Sequence, residues 1–440
     1  MQAGQTKNGI GMTLAACLWL GLFPLLHFGT YTRITLDKWI LMLILSGATV
    51  LCFLADLIMR RVSRPRLLPL LLGAALLAWM LVSCLASPYD SGIWWIGASS
   101  RREGLATQLC YLGLFFLFSF ARVRFRPVAA SASVGVLAFL AIVLLQRAGQ
   151  NPFGLYPAGR SYATNPEFQG PVGNVDMGTG CLLLLAGLLL PALRPARPVP
   201  GPESPSILSK LSALGQKSFF LLPLAGLLVS VWLVVTMDVQ FGLLTLGVLA
   251  VAVLLRFLPA KARVPLLLLI LVLVLLAVWY WPGTGGGIWE LHEILHGRLQ
   301  LSFGSNRIAV WLYTLSMVKA ERPLLGGGSD TFALRFNDFI TREKLEIPTR
   351  QGDLLLPSYF DTPHNEYLAQ LANHGLPALI LFILLIVSAL FRRGKGPGAA
   401  ASLPWRAAVL AYAAQASLSF SVCLVAPLFW AVLGLSISKK

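Results

Sequence analysis

VPLLLLILVLVLLAVWYWP, residues 264–282, carries no charged side chain and is long enough to cross the hydrocarbon of a bilayer as one helix. Immediately after it the chain turns polar and stays polar through residues 283–363, until a second long apolar run begins at His364. A hydrophilic insert of that size between apolar runs has to lie in water, so any chemistry performed on a membrane-borne substrate belongs there. The flanking runs then act as scaffold. Working outward, comparable apolar runs recur at about 9–29, 38–58, 67–86, 104–121, 127–146, 175–193, 218–236 and 239–256, and again at 364–391, 405–422 and 424–438. With 264–282 they make twelve, the last two cramped enough to form a re-entrant pair. The expected organisation is helices one to nine over 1–282, an outer loop domain with an amphipathic helix over 283–363, and helices ten to twelve over 364–440.

Composition agrees. The chain is 57% hydrophobic and 12% charged, with mean hydropathy +0.74, whereas soluble domains are about 25% charged. Its net charge of +17 would suggest nucleic acid, but the distribution excludes that reading. With the N-terminus inside, the inner loops hold basic clusters such as Arg60, Arg61, Arg64 and Arg66, or Arg122, Arg124 and Arg126, against only Asp56 and Glu203. The outer loops are close to balanced. This asymmetry is the positive-inside pattern, and it places residues 283–363 outside the cytoplasm. The first run follows Lys7 without a small-x-small cleavage site, so it reads as a retained helix. All six cysteines fall within apolar runs, without a C-x-x-C pair, which argues against a disulfide framework or thiolate metal site.

The junction Asp361-Thr362-Pro363-His364-Asn365-Glu366 carries the main chemical expectation. Thr362 suits a helix cap and Pro363 a first helical position, which would put His364 in the first turn, at the positive end of the helix dipole. That field disfavours imidazolium and attracts phosphate, as a general base beside an anionic substrate requires. The plainer alternative is a histidine resting at the water interface. Further along, Gly375 and Pro377 predict a kink.

Other candidates surround this one. Arg101 and Arg102 are adjacent on an outer face that otherwise avoids excess positive charge, and phosphate contact would explain them; Trp94 and Trp95 beside them read as interfacial anchors. Arg160, in a Gly/Pro/Asn-rich outer loop, is either solvated or reaches toward the same cavity. Asp238, the lone charge at the 236–240 junction, is either an interface residue or a partner for a site arginine. Asp56 is expected to pair with Arg60 and Arg61. Within the outer segment, Ser305 predicts a helix start, with Ile308, Trp311, Leu315 and Val318 on its apolar face and Trp311 stacked on Arg307. The glycine run at 326–328 is a loop that only loosely resembles a phosphate cradle. The proline-rich stretch 194–217 reads as a linker without chemistry. His292-Glu293-Ile294-Leu295-His296 matches the zinc-protease pattern, but no third ligand has suitable spacing, and a solvated helical turn is the competing reading.

Taken together, these features resemble the O-antigen ligase and polymerase family of bacterial membrane glycosyltransferases. The resemblance rests on Ser305-Asn306-Arg307 through Trp311, on Arg322-Pro323-Leu324-Leu325-Gly326-Gly327-Gly328 with Phe332, and on His364-Asn365-Glu366-Tyr367-Leu368 followed by Gly375-Leu376. It implies an all-α polytopic, GT-C-like membrane protein of about twelve transmembrane helices with one large extracytoplasmic loop between helices nine and ten. It also implies residence in the bacterial cytoplasmic membrane with the active site on the outer side, and a role in polysaccharide or lipopolysaccharide biosynthesis at the cell envelope. The implied reaction transfers a glycan from an undecaprenyl diphosphate carrier to a glycan or glycolipid hydroxyl, without metal or other cofactor. His364 would be the base and Arg307 a diphosphate contact, with Arg101, Arg102, Arg160 and Arg298 as further contacts and Asn365, Asp238 and Trp311 in support. Where many relatives carry an arginine between helices seven and eight, this chain has Asp238-Val239-Gln240, and Arg160 or Arg298 is expected to take its place. A flippase without catalysis is the alternative function, and a zinc protease a more distant one.

Overall fold

The structure is a computed structural model; it describes residues 8–193, 207–348, 359–391 and 401–438. Most of the expected linker at 194–217 lies outside them. The described residues fold as helices and loops, with isolated β-bridges but no strand. Each of the twelve apolar runs contains a helix: α1 (Ile10–Cys17, continued by a π turn and a 3-10 turn to Leu25), α2 (Ile34–Ile58), α3 (Leu67–Leu85), α5 (Leu105–Ser119), α6 (Phe125–Arg147), α7 (Val175–Leu189), α8 (Ile207–Thr236), α9 (Gln240–Phe257), α10 (Ala260–Trp279), α14 (Glu366–Leu390), α15 (Leu403–Gln415) and α16 (Ala426–Ile437). Four further helices lie between them: α4 (Ser91–Ile96), α11 (Gly286–Leu295), α12 (Arg307–Ala320) and α13 (Phe332–Arg342). Among the described residues, six helices are long and apolar enough to cross a membrane: α2 with its preceding turn, α3, α6, α9, α10 and α14. The protein is a multi-pass membrane protein.

Helices α7 and α16 form the centre. Every described residue of α16, and of α7 from Met177 on, is buried, as expected of helices that are apolar all round and enclosed by others. Helix α7 packs on α15 and α8, and α16 packs on α5. At the other extreme α10 has no buried residue, and its leucines face outward.

Asp56 does not serve the expected ion pair. It is buried and accepts the Gly11 and Met12 N–H groups at 3.2 and 2.8 Å, capping α1.

The described residues of the polar segment 283–363 contain three helices where one was expected. Helix α12 starts at Arg307, two residues later than the Ser305 cap implied, because Gly304, Ser305 and Asn306 form a left-handed turn with φ of 63°, 55° and 69°. Its buried face is Ala309, Val310, Thr314, Met317 and Val318; of the expected face Val318 is buried, Ile308 and Trp311 are half-buried, and Leu315 is exposed. Packing on α13 and α14 thus turns the buried stripe away from Leu315 and onto Val310, Thr314 and Met317. Helix α13 escaped the sequence reading, although Phe332, Phe336, Phe339 and Ile340 recur on one helical face and are all buried.

The glycine run is a structural latch. Gly327 and Gly328 N–H groups donate to the Ala372 and Asn373 carbonyls of α14 at 3.3 and 2.8 Å, and the Ser83 and Ser87 hydroxyls donate to the Leu325 and Gly327 carbonyls, both at 2.5 Å. Where the latch meets α14, Gly375 adopts φ 80° and breaks the helix; a Cβ there would run into the Leu324 carbonyl. The expected kink is therefore present, set at the glycine, with Pro377 just beyond it.

Candidate active site

His364 is not in a helix. Helix α14 starts at Glu366, and its cap is Asn365, whose side-chain oxygen accepts the Leu368 N–H at 3.1 Å. The correction has a local cause: Asn365 is extended and can reach back over the first turn, whereas Thr362 accepts the His364 N–H instead, at 3.4 Å. His364 itself is left-handed, with φ 48°. Trp311, expected beneath Arg307, instead donates its indole N–H to the Pro363 carbonyl at 2.8 Å and ties α12 to the residue before His364.

The imidazole stands edge-on to Phe420, with 5.2 Å between ring centroids, and the Arg101 guanidinium lies over that ring at 4.7 Å. One phenylalanine thus bridges the imidazole and a cation. Burial first, then Arg307, pushes the His364 pKa down to about 4; Arg101 adds to this and Asp361 opposes it. The His364 imidazole is accordingly neutral at physiological pH, and its Nδ1 has no hydrogen-bond partner among the described residues.

Arg307 is aimed by the turn preceding it. Glu290 on α11 accepts the Gly304 N–H at 2.9 Å, and the Gly304 carbonyl accepts Arg307 Nη1 at 2.9 Å. The guanidinium lies over Phe241 of α9 at 4.4 Å, not over Trp311. Burial lowers its pKa, while Asp176 and Glu290 raise it. Its Nε has no partner.

Arg101 is buried, at 8% exposure. Its Nη2 donates to the Ser421 carbonyl at 3.0 Å, its Nε is 3.7 Å from Asp330 and its Nη1 is 3.8 Å from Asp361. Nη1 makes no hydrogen bond. Arg102, left-handed at φ 55°, lies over Trp39 at 5.2 Å, and its Nε is likewise without a partner. Left-handed non-glycine residues are costly. Here they recur at Arg102, Ser305, Asn306, Asp330 and His364, around one site.

Three expected contributors lie elsewhere. Arg298 forms a two-bond ion pair with Glu293 at 2.6 and 2.7 Å, so its charge is already matched. Arg160 is exposed on its loop, and no described contact joins it to this cluster. Asp238 is an exposed left-handed residue between α8 and α9 that reaches no site arginine; the junction contributes Phe241 instead.

The zinc-protease pattern is also otherwise engaged. Glu293 is held by Arg298, the Nδ1 atoms of His292 and His296 are 3.0 and 2.8 Å from backbone carbonyls, and no group of three metal-ligating side chains occurs among the described residues.

Sequence reasoning missed Phe420, Phe241, Asp330, Glu103 and Glu366. Glu103 and Glu366 are buried and line one polar crevice with Arg101. Burial lifts the Glu103 pKa to about 8, and Tyr111 and Gln108 donate to its carboxyl group at 2.7 and 3.2 Å. Only the Glu103 position beside two arginines carried any local signal.

Residues 225–383 match the O-antigen ligase family, a stretch running from α8 into α14 that contains both Arg307 and His364. The match supports the resemblance drawn from sequence. Among curated proteins no match to this chain is found.

Proposed function

From that family match we propose that this is a membrane glycosyltransferase of the O-antigen ligase type, which transfers or polymerises a glycan carried on undecaprenyl diphosphate. The acceptor is a glycan or glycolipid hydroxyl, and the reaction runs at the outer face of the cytoplasmic membrane. Twelve crossings, with residues 283–363 on the outer side, complete this reading. The observation that carries it is a neutral imidazole whose Nδ1 lacks a partner, under the influence of two arginines, the buried Arg101 and the half-buried Arg307, each with an N–H group that no described residue satisfies.

The chemistry follows from these groups. The acceptor oxygen attacks the anomeric carbon while His364 takes its proton; the bond from that carbon to the diphosphate oxygen breaks, and the diphosphate leaves with the electron pair. Arg307 and Arg101 hold the departing charge, with Arg102 at the margin. No enzyme nucleophile is needed, because a diphosphate leaves readily once its charge is neutralised. Phe241 and Phe420 hold the two guanidinium planes without neutralising them; Arg101 also faces Asp330 and Asp361 at 3.7 and 3.8 Å, so what it offers the donor is an open Nη1 N–H group and not an unmatched charge.

The test is transfer by purified protein from lipid-linked glycan to candidate acceptors. His364→Ala should abolish turnover. His292→Ala and chelators should leave it unchanged. Full activity in His364→Ala would remove the base from the mechanism, and loss to chelators would favour the zinc site.

A further inference from the structure

We propose that Asp330 is the positioning residue for Arg101, so that the glycine latch of the outer segment sets the geometry with which the first outer loop holds the donor. The inference rests on the reading of Arg101 as a diphosphate contact. Asp330 is itself held in place. Its neighbour Ser329 is 2.9 Å from His374 Nε2, and on the other side Thr331 donates to the Gly328 carbonyl at 2.8 Å.

From that fixed point one carboxylate oxygen, Oδ2, accepts two N–H groups of the first outer loop, Ala98 at 2.8 Å and Glu103 at 3.2 Å. Those groups bracket the turn in which Arg101 and Arg102 both donate to the Ala98 carbonyl, at 3.0 and 2.7 Å. The other oxygen, Oδ1, faces Arg101 Nε at 3.7 Å. Gly97, at φ 91°, makes the approach possible, since a Cβ there would strike the carboxylate. Asp330 therefore fixes both the backbone that carries Arg101 and the Nε edge of its guanidinium. The opposite edge presents Nη1, which has no hydrogen-bond partner.

The other acids around Arg101 do not combine these roles. Glu103 is engaged by Tyr111 and Gln108, Glu366 accepts the Tyr412 hydroxyl at 3.1 Å, and Asp361, at 42% side-chain exposure, faces Nη1 at the other edge. Asp330 thus determines which face of Arg101 meets the anion.

A double-mutant cycle tests this. Asn at position 330 keeps an oxygen for the two backbone N–H groups but removes the charge facing Nε. Asp330→Asn should raise the KM for lipid-linked donor about tenfold while kcat changes less than about threefold, the size expected for misaligning one charge-assisted hydrogen bond. In an Arg101→Ala background the same substitution should have no further effect. An equal loss in both backgrounds, or an unchanged donor KM, would overturn the proposal.

If Arg101→Ala leaves the donor KM unaltered, the diphosphate reading of Arg101 fails. The positioning claim is then decided by the His364 titration, followed by NMR on histidine-labelled protein. Asp330→Asn should shift it when Arg101 is present and not when Arg101 is absent; no shift in either background refutes positioning independently of substrate.

Discussion

The depressed basicity of His364 makes the acid limb of the rate profile a direct report on the site. The ring's pKa falls from 6.5 to about 4, a bias of roughly 3 kcal/mol against imidazolium at 1.36 kcal/mol per pH unit. The sign is fixed by the mechanism: a base works when neutral, so activity is complete well above pH 4 and is lost as pH falls through the folded-state value. For kcat/KM, which reads the free enzyme, the limb should therefore lie near pH 4, not near 6.5. Bound donor changes this. A diester diphosphate stays dianionic across the window, and one negative charge about 7 Å from the ring at an effective dielectric of about 20 is worth roughly 2 kcal/mol, enough to raise the imidazole by more than about one pH unit. The kcat profile, which reads the complex, should fall at correspondingly higher pH. Arg307→Gln should move the kcat/KM limb upward, because Arg307 is the larger of the two cationic influences on the ring. Initial transfer rates between pH 3.5 and 8, at saturating and at limiting donor, separate the two limbs. Coincident limbs near 6.5, or a free-enzyme limb that ignores Arg307, would refute the assignment of His364 as a base held beside the diphosphate.

Other expectations are simpler to measure. Trp311→Phe removes the 2.8 Å bond to the Pro363 carbonyl, and should lower kcat about fivefold to tenfold with little change in thermal midpoint, in line with the net value of one hydrogen bond. Glu103, whose folded pKa is raised to about 8 from 4.5, binds more protons folded than unfolded between those values; thermal stability should decline as pH rises through that window, and Glu103→Gln should flatten the decline. Gly375→Ala places a Cβ against the Leu324 carbonyl at φ 80°; loss of the α14 break should reduce the detergent-solubilised midpoint by several degrees, measured by thermal scanning, and lower kcat through the displaced His364.

The division between what local sequence carried and what it did not is visible in particular residues. Hydropathy is additive along a chain, so all twelve apolar runs were readable without knowledge of their neighbours, and each contains a helix, although the run at 405–422 is helical only to Gln415. His364 and Arg307 could be picked out because each sits at an element boundary with its capping or turn residues beside it in sequence. Arg298 was misplaced because its partner Glu293 lies across a helix end, and a local reading assigned the arginine its charge without the acid that matches it. Arg160 had a plausible loop but no means of showing where that loop points.

The surroundings of the base are another matter. Phe420, Arg101, Asp330 and Phe241 come from four separate stretches of chain, and Phe420 meets His364, Arg101 meets Phe420, Asp330 meets Arg101 and Phe241 meets Arg307 only after helices have packed. Sequence alone determined that this chain lies in a membrane, where its long polar segment falls, and which histidine and arginine stand in it or at its end, because those properties depend on residues within a few helical turns. The fold decided whether that histidine is charged and which arginines keep unmatched N–H groups, because desolvation and pairing are set by atoms hundreds of residues apart in sequence.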